Sequence, residues 1–219
     1  MPTDDPMSVV LCWHMHQPEY RDERTGAVHL PWTYLHAIKD YVDMAHHLES
    51  VPGARAVVNF TPILLEQIEE YTAQVDSFLG NYGTIRDPVL ADMGEAALPS
   101  RPEQRLALIR HCLRATREHM IERFAPFRHL VQMADWYEEH PQSLIYASNQ
   151  FLADLLVWYH LSWLAESVRR EDERVKRLQE KAENFSLHDR RELLQVVLDQ
   201  LRSIVPRYRE LAQSGKVEL

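Results

Sequence analysis

The sequence predicts an α/β fold built on a parallel sheet, and three observations carry that prediction. Strand-like and helix-like segments alternate over residues 8–71. From about Ala73 to Gln213 no strand-like segment occurs. A strand then begins again at Lys216–Leu219. The alternation reads as parallel strands joined by right-handed crossovers, since parallel strands need a long connection between them. Residues 73–213 read as an all-helical insertion. Two strands and the start of a third do not make a stable parallel sheet, which needs covered faces and several neighbours. The chain is therefore expected to be a truncated, N-terminal piece of a larger domain.

The first strand opens at Ser8 and runs through SVVLCWHMHQP. Its β-branched, apolar start reads as buried strand, and Pro18 ends it because proline cannot donate a ladder hydrogen bond. Side chains alternate along a strand, so Val10, Cys12, His14 and His16 share one face. Val9, Leu11, Trp13 and Met15 share the other. Ligands of parallel α/β proteins sit at the carboxyl ends of the strands. A single histidine there is most often structural, but a pair followed by Gln17 is a candidate site.

Glu19–Leu30 is polar, contains Gly26, and reads as a loop over that strand end. Pro31 suits a helix start. Leu35, Ile38, Val42, Ala45 and Leu48 then recur at helical spacing until Pro52 and Gly53. Ala54–Phe60 is the second strand, ending in Asn59. Thr61 and Pro62 form an N-cap and first-turn pair for a helix reaching about Tyr71. Ser100–Glu103 has the capping-box pattern and opens a helix through Leu106, Ile109, Leu113 and Met120, which Pro126 kinks or ends. A further helical segment reaches about Glu139. Asn149–Val168 is apolar nearly all round and reads as one buried helix. Arg169–Glu183 reads as a solvated, charged helix. Ser186–Asp189 is another N-cap, followed by a long helix over Leu187–Ala212 with a kink expected before Pro206. Gly215 fits the left-handed position that closes a helix.

Composition narrows the function. A formal net charge of −9 argues against nucleic acid or an anionic membrane as the main partner. The two cysteines, Cys12 and Cys112, have neither metal-site spacing nor a disulfide framework, which suits a cytoplasmic protein. Asp4 and Asp5 stand where a secretory signal would be basic. The most apolar stretch, Phe151–Leu164, is too short to span a bilayer and contains Asp154 and His160.

His14-Met15-His16-Gln17-Pro18 resembles the first conserved block of glycoside hydrolase family 57, the α-amylase and amylopullulanase-type enzymes. The family's His-Gln-Pro hallmark is matched by His16, Gln17 and Pro18. PWTYLHAIKDY (Pro31–Tyr41) and VVNFTPILLEQI (Val57–Ile68) resemble its early helix and second strand, and Gly215–Leu219 is similar to the start of its second block. The resemblance implies an incomplete seven-stranded (β/α) barrel with a long helical insertion, acting on α-glucans or malto-oligosaccharides with retention and without a cofactor. It also implies a glutamate nucleophile and an aspartate acid/base in blocks absent from these residues, so no catalytic residue is assigned. Glu218 belongs to an earlier block and is not that nucleophile. The chain alone is expected to be inactive, its partner being the C-terminal remainder of the barrel.

Within that resemblance His16 is the first choice for a sugar contact, His14 the second, with Gln17 beside them. Asn59 either contacts sugar or fixes the loop. Trp32, Trp158 and Trp163 have ring faces suited to sugars but also to a core, and Trp32 is retained as a candidate. Three alternatives remain open. One is a 4-α-glucanotransferase of the same family. Another is a zinc-dependent amidohydrolase beginning with His-x-His, although His36, His46, His47, His111 and His119 fall on predicted helices. The third is a non-catalytic glucan-binding or regulatory protein.

Overall fold

A computed structural model describes residues 9–22 and 24–218. Ser8, Leu219, Asp4 and Asp5 lie outside the described residues. Strands β1 (Cys12–Met15), β2 (Ala56–Phe60) and β3 (Val217–Glu218) form a parallel sheet in the order β1-β2-β3. The register places Cys12 beside Val57 and His14 beside Asn59. Val57 stands beside Glu218 in turn. The ladder starts one residue before β1, where Val57 N–H donates to Leu11 at 2.8 Å, and runs one residue past β2, where Thr61 N–H donates to Met15 at 3.1 Å.

Among the described residues, only one face of this sheet is covered. Met15, Ala56, Val58 and Val217 are buried on the helix side. Cys12, His14, Asn59 and Glu218, on the opposite side, are exposed. Parallel sheets are ordinarily buried on both faces, so the open side is the exceptional one.

The helical layer begins with α1 (Trp32–His36), a π-helical turn (Ala37–Tyr41) and α2 (Val42–Ser50). The expected single helix is thus present but widened in its middle. Helix α3 (Pro62–Leu79) follows β2 and runs beyond Tyr71, because Val75 continues its buried stripe. Helix α4 (Pro88–Gly94) was not anticipated, although Asp87 caps it in the ordinary way, accepting from Val89 and Leu90 N–H.

The expected Ser100–Glu103 capping box does not form. Pro102 sets the start of α5 (Pro102–Cys112), leaving Arg101 at the cap with no side-chain hydrogen bond. Helix α5 ends at Cys112 rather than running to Met120, which instead lies in a π-helical turn (Arg117–Ile121). Pro126 opens α6 (Ala125–Glu139) instead of kinking its predecessor. A short 3-10 segment (Pro141–Tyr146) leads to α7 (Asn149–Trp163). The helix expected over Asn149–Val168 breaks at Leu164 and Ala165, where Ala165 N–H leaves the helix to donate to Ile38 in the π turn at 3.0 Å. Helices α8 (Glu166–Glu171) and α9 (Glu173–Lys181) carry the charged run.

Helix α10 (Leu187–Gln213) begins with the predicted capping box at Ser186 and Asp189, and it continues through Pro206. It packs against α2, α3, α4, α7 and α9. Gly215, at φ +71°, closes it as expected: Gly215 N–H donates to Ala212, and Lys216 N–H to Leu211. Among the described residues no helix is long and apolar enough to cross a membrane.

Helix α7 is buried nearly throughout. Tyr159 Oη and Trp163 Nε1 find no hydrogen-bond partner among the described residues, whereas Asp154 and His160 are satisfied inside. Asp154 accepts from Gln150 Nε2, Asn184 N–H and Phe185 N–H, holding Asn184 at φ 60°. The His160 Nδ1 lies 2.9 Å from the Leu156 carbonyl, an acceptor only, so Nδ1 donates. Nε2 of the neutral ring therefore accepts from the Tyr34 hydroxyl at 3.0 Å. Burial pushes the His160 pKa down to about 4.

This depression carries a sign. The unfolded chain protonates His160 below about 6.5 while the folded chain does not, so stability is complete above that value and is lost as pH falls toward 4. Asp87 acts oppositely, since burial pushes it up to about 6 and folding gains stability as pH falls through that value. Comparison with His160→Gln isolates the histidine. Wild-type protein should lose about 2 kcal/mol more stability than the variant between pH 7.5 and pH 5, read by denaturant unfolding. Parallel losses in both proteins would contradict the buried neutral imidazole.

Candidate functional site

The candidate site lies at the carboxyl ends of β1 and β2. Alternation along β1 turns Met15 into the helical layer and His14 to the open face, and His16 follows just past the strand. The two imidazoles stack, with ring centroids 5.9 Å apart and planes 29° apart. The parallel register brings Asn59 alongside His14, whose Nδ1 lies 2.8 Å from Asn59 Oδ1. With that oxygen accepting, Nδ1 carries the proton, and His14 Nε2 is left as an acceptor on the open face.

Gln17 is engaged differently. Its Oε1 accepts from the Tyr20 hydroxyl at 2.9 Å, and its Nε2 is 3.5 Å from the Tyr41 hydroxyl. Its carbonyl and that of Pro18 accept from Gln67 Nε2 at 3.4 and 3.2 Å. Gln67 is in turn fixed by the Thr33 hydroxyl at 2.6 Å. The turn after β1 is therefore pinned to α1 and α3. The loop beyond it is fastened by Arg21, which bonds both oxygens of Glu70, while Arg86 pairs with the same carboxylate.

The structure brings His14, His16 and Asn59 together and sets Gln17 directly behind them. Trp32 is not among this group's ring contacts; it packs on His36 and Trp163, at centroid distances of 6.4 and 5.7 Å. Trp158 and Trp163 are core residues, and the Trp158 indole N–H donates to the Ala182 carbonyl. Glu218, for which the sequence suggests no site role, is the carboxylate that β3 adds to this face beside Val57. Strand alternation carried to the end of the chain would have found it.

The other histidines are dispersed. Nδ1 of His36 donates to Asp40 at 2.6 Å, and His46 lies 4.0 Å from Glu171. Among the described residues, no three His, Cys, Asp or Glu side chains are grouped to hold a metal ion.

The family model for glycosyl hydrolase family 57 matches residues 10–219, spanning the sheet and the whole helical layer. The chain belongs to glycosyl hydrolase family 57. No curated protein and no solved structure matches it. Membership makes the chain part of a glycoside hydrolase family, whose substrates are carbohydrates, and leaves the amidohydrolase alternative without support. The strand-end imidazoles and the Asn59 amide present hydrogen-bond donors and acceptors on the open face.

The Asn59 contact makes a checkable statement about a proton. Imidazole nitrogen chemical shifts should show neutral His14 as the Nδ1–H tautomer in the wild type. In Asn59→Ala the ring should shift toward the Nε2–H form, with little change at buried His160. Unchanged His14 shifts in the variant would mean that Asn59 does not set the tautomer.

Proposed function

We propose that residues 1–219 are the N-terminal portion of a retaining, α-glucan-active glycoside hydrolase of α-amylase or amylopullulanase type, cleaving α-1,4 or α-1,6 glucosidic bonds. In this reading β1, β2 and β3 are the first strands of a seven-stranded (β/α) barrel. The helices between β2 and β3, within residues 73–213, are its insertion. The observation that carries the reading is the open polar face of the sheet in a family 57 member. A barrel closed over that face would enclose His14, His16, Asn59 and Glu218.

Retaining hydrolysis requires two carboxyl groups about 5–5.5 Å apart, one attacking the sugar and one donating a proton. Among the described strand residues the open face offers one, Glu218, so the attacking and proton-donating groups are assigned to strands downstream. The role of this chain is to hold the sugar. His16 bonds a hydroxyl of the cleaved unit, and His14, with Nδ1 held by Asn59, accepts a second hydroxyl at Nε2. Such bonds accelerate the reaction where they strengthen as the ring acquires oxocarbenium character. Gln17, engaged with Tyr20 and Tyr41, positions the turn that carries His16. Transfer to a second glucan would use the same intermediate and differ only in the acceptor.

The 219-residue chain alone should release no sugar from malto-oligosaccharides, and the enzyme joined to its downstream strands should release the α-anomer. In that enzyme His16→Ala should lower kcat and kcat/KM together by about 2–4 kcal/mol of transition-state stabilisation, with an unchanged melting temperature. An early-melting variant with normal kcat would make His16 a loop anchor. Turnover by the isolated chain would overturn the assignment of the carboxylates.

A further inference from the structure

Helix α6 has two faces of different character. Phe127, Val131, Ala134 and Tyr137 point into the core. His129, Gln132, Met133 and Trp136 lie on the outer side at helical spacing, and Trp136 is 48% exposed. These four, with Tyr137 behind them, line a shallow cleft of about 510 Å³.

The indole is a prepared platform rather than a loose surface side chain. The His140 ring stacks on it at 4.8 Å between centroids and 20° between planes. That imidazole is itself held, because its Nδ1 donates to the Trp136 carbonyl at 2.9 Å. Tyr137 meets the indole edge-on at 5.4 Å. Of the neighbouring carboxylates, Asp135 is neutralised by Arg117 at 2.9 Å and Glu138 by Arg110 at 2.9 Å, while exposed Glu139 has no ion-pair partner among the described residues. The Gln132 amide and the indole N–H, which bonds none of the described residues, remain for hydroxyl groups.

We infer that Trp136 is a surface binding site for an α-glucan chain, with a glucose ring stacked on the indole and its hydroxyls bonded by Gln132 and His129. The inference rests on the α-glucan reading above and adds a second contact point for the same polymer, outside the sheet. The chemistry selects a neutral sugar: an apolar ring face flanked by amide and imidazole matches a pyranose. A protein partner is disfavoured by size, because a stable interface needs roughly 800 Å² from each side and this cleft offers only a handful of side chains. A polymer held at Trp136 would raise the local concentration of chain ends near the enzyme.

Native affinity electrophoresis of the full chain through gels containing amylose tests this, with dextran and hydroxyethyl cellulose gels as comparisons. Amylose should retard the wild type and Trp136→Phe. It should retard Trp136→Ala at least tenfold less, and Gln132→Ala to an intermediate degree. Circular dichroism melts of the exposed-site variants should match the wild type, so that lost retardation is lost binding. No retardation in amylose, or retardation that Trp136→Ala preserves, would overturn the site. Retardation abolished by His16→Ala but not by Trp136→Ala would overturn it while leaving the α-glucan reading intact. Retardation by the β-linked polymer alone would overturn both.

Discussion

The parallel pairing of β1 with β2 is the interaction on which the candidate site depends. His14 and Asn59 are 45 residues apart and meet only because the two strands lie in this register. Side chains alternate with a period of two, so a slip of one residue would send His14 into the helical layer and Met15 into the open. Burial of Met15, Ala56 and Val58 on one side opposes that slip, and the Thr61-to-Met15 hydrogen bond locks the end where the histidines emerge. Fixing the apolar face thus fixes the polar one.

Around that sheet the helical layer is held by contacts distant in sequence. Asp43 on α2 accepts from Glu166 N–H at 2.7 Å, Ser167 N–H at 3.0 Å and the Ser167 hydroxyl at 2.6 Å. It caps α8 in place of a local residue. The Tyr208 hydroxyl on α10 donates to the Tyr41 carbonyl at 2.9 Å, and Tyr41 in turn meets Gln17. The π turn at Ala37–Tyr41 sits at the junction of these contacts. Its Ile38 carbonyl receives the N–H that ends the long buried stretch of α7. A chain of bonded groups therefore leads from α10 through the π turn to the turn behind His16.

What the sequence disclosed follows the range of the interactions involved. The Ser186–Asp189 box and the Gly215 stop are local devices and form as read, and α3 begins at Pro62 as read although the Thr61 side chain makes no cap hydrogen bond. Ser100–Glu103 carried the same local pattern and failed, because Pro102 outweighs it in setting the first turn. Asp87-Pro88 carried a sound signal for α4 that went unread. The Asp43 cap, the Tyr34–His160 pair and the break after Trp163 were not legible, since each depends on a partner more than 120 residues away. In the candidate site, alternation alone put His14 and His16 on one face. The partnership with Asn59 required the strand register, and the tethering of Gln17 required α1 and α3. Trp32 had the right chemistry for a sugar but found its ring contacts in His36 and Trp163.

On the reading proposed above, the uncovered face of the sheet is the one that meets carbohydrate. A crystal structure of the proposed complete barrel, soaked with a malto-oligosaccharide, tests this reading most directly. A glucose unit should lie within hydrogen-bonding distance of His16, with His14 Nε2 directed at a hydroxyl and Nδ1 still on Asn59. A face filled by protein side chains, with the sugar bound elsewhere and His14 and His16 out of reach, would contradict it.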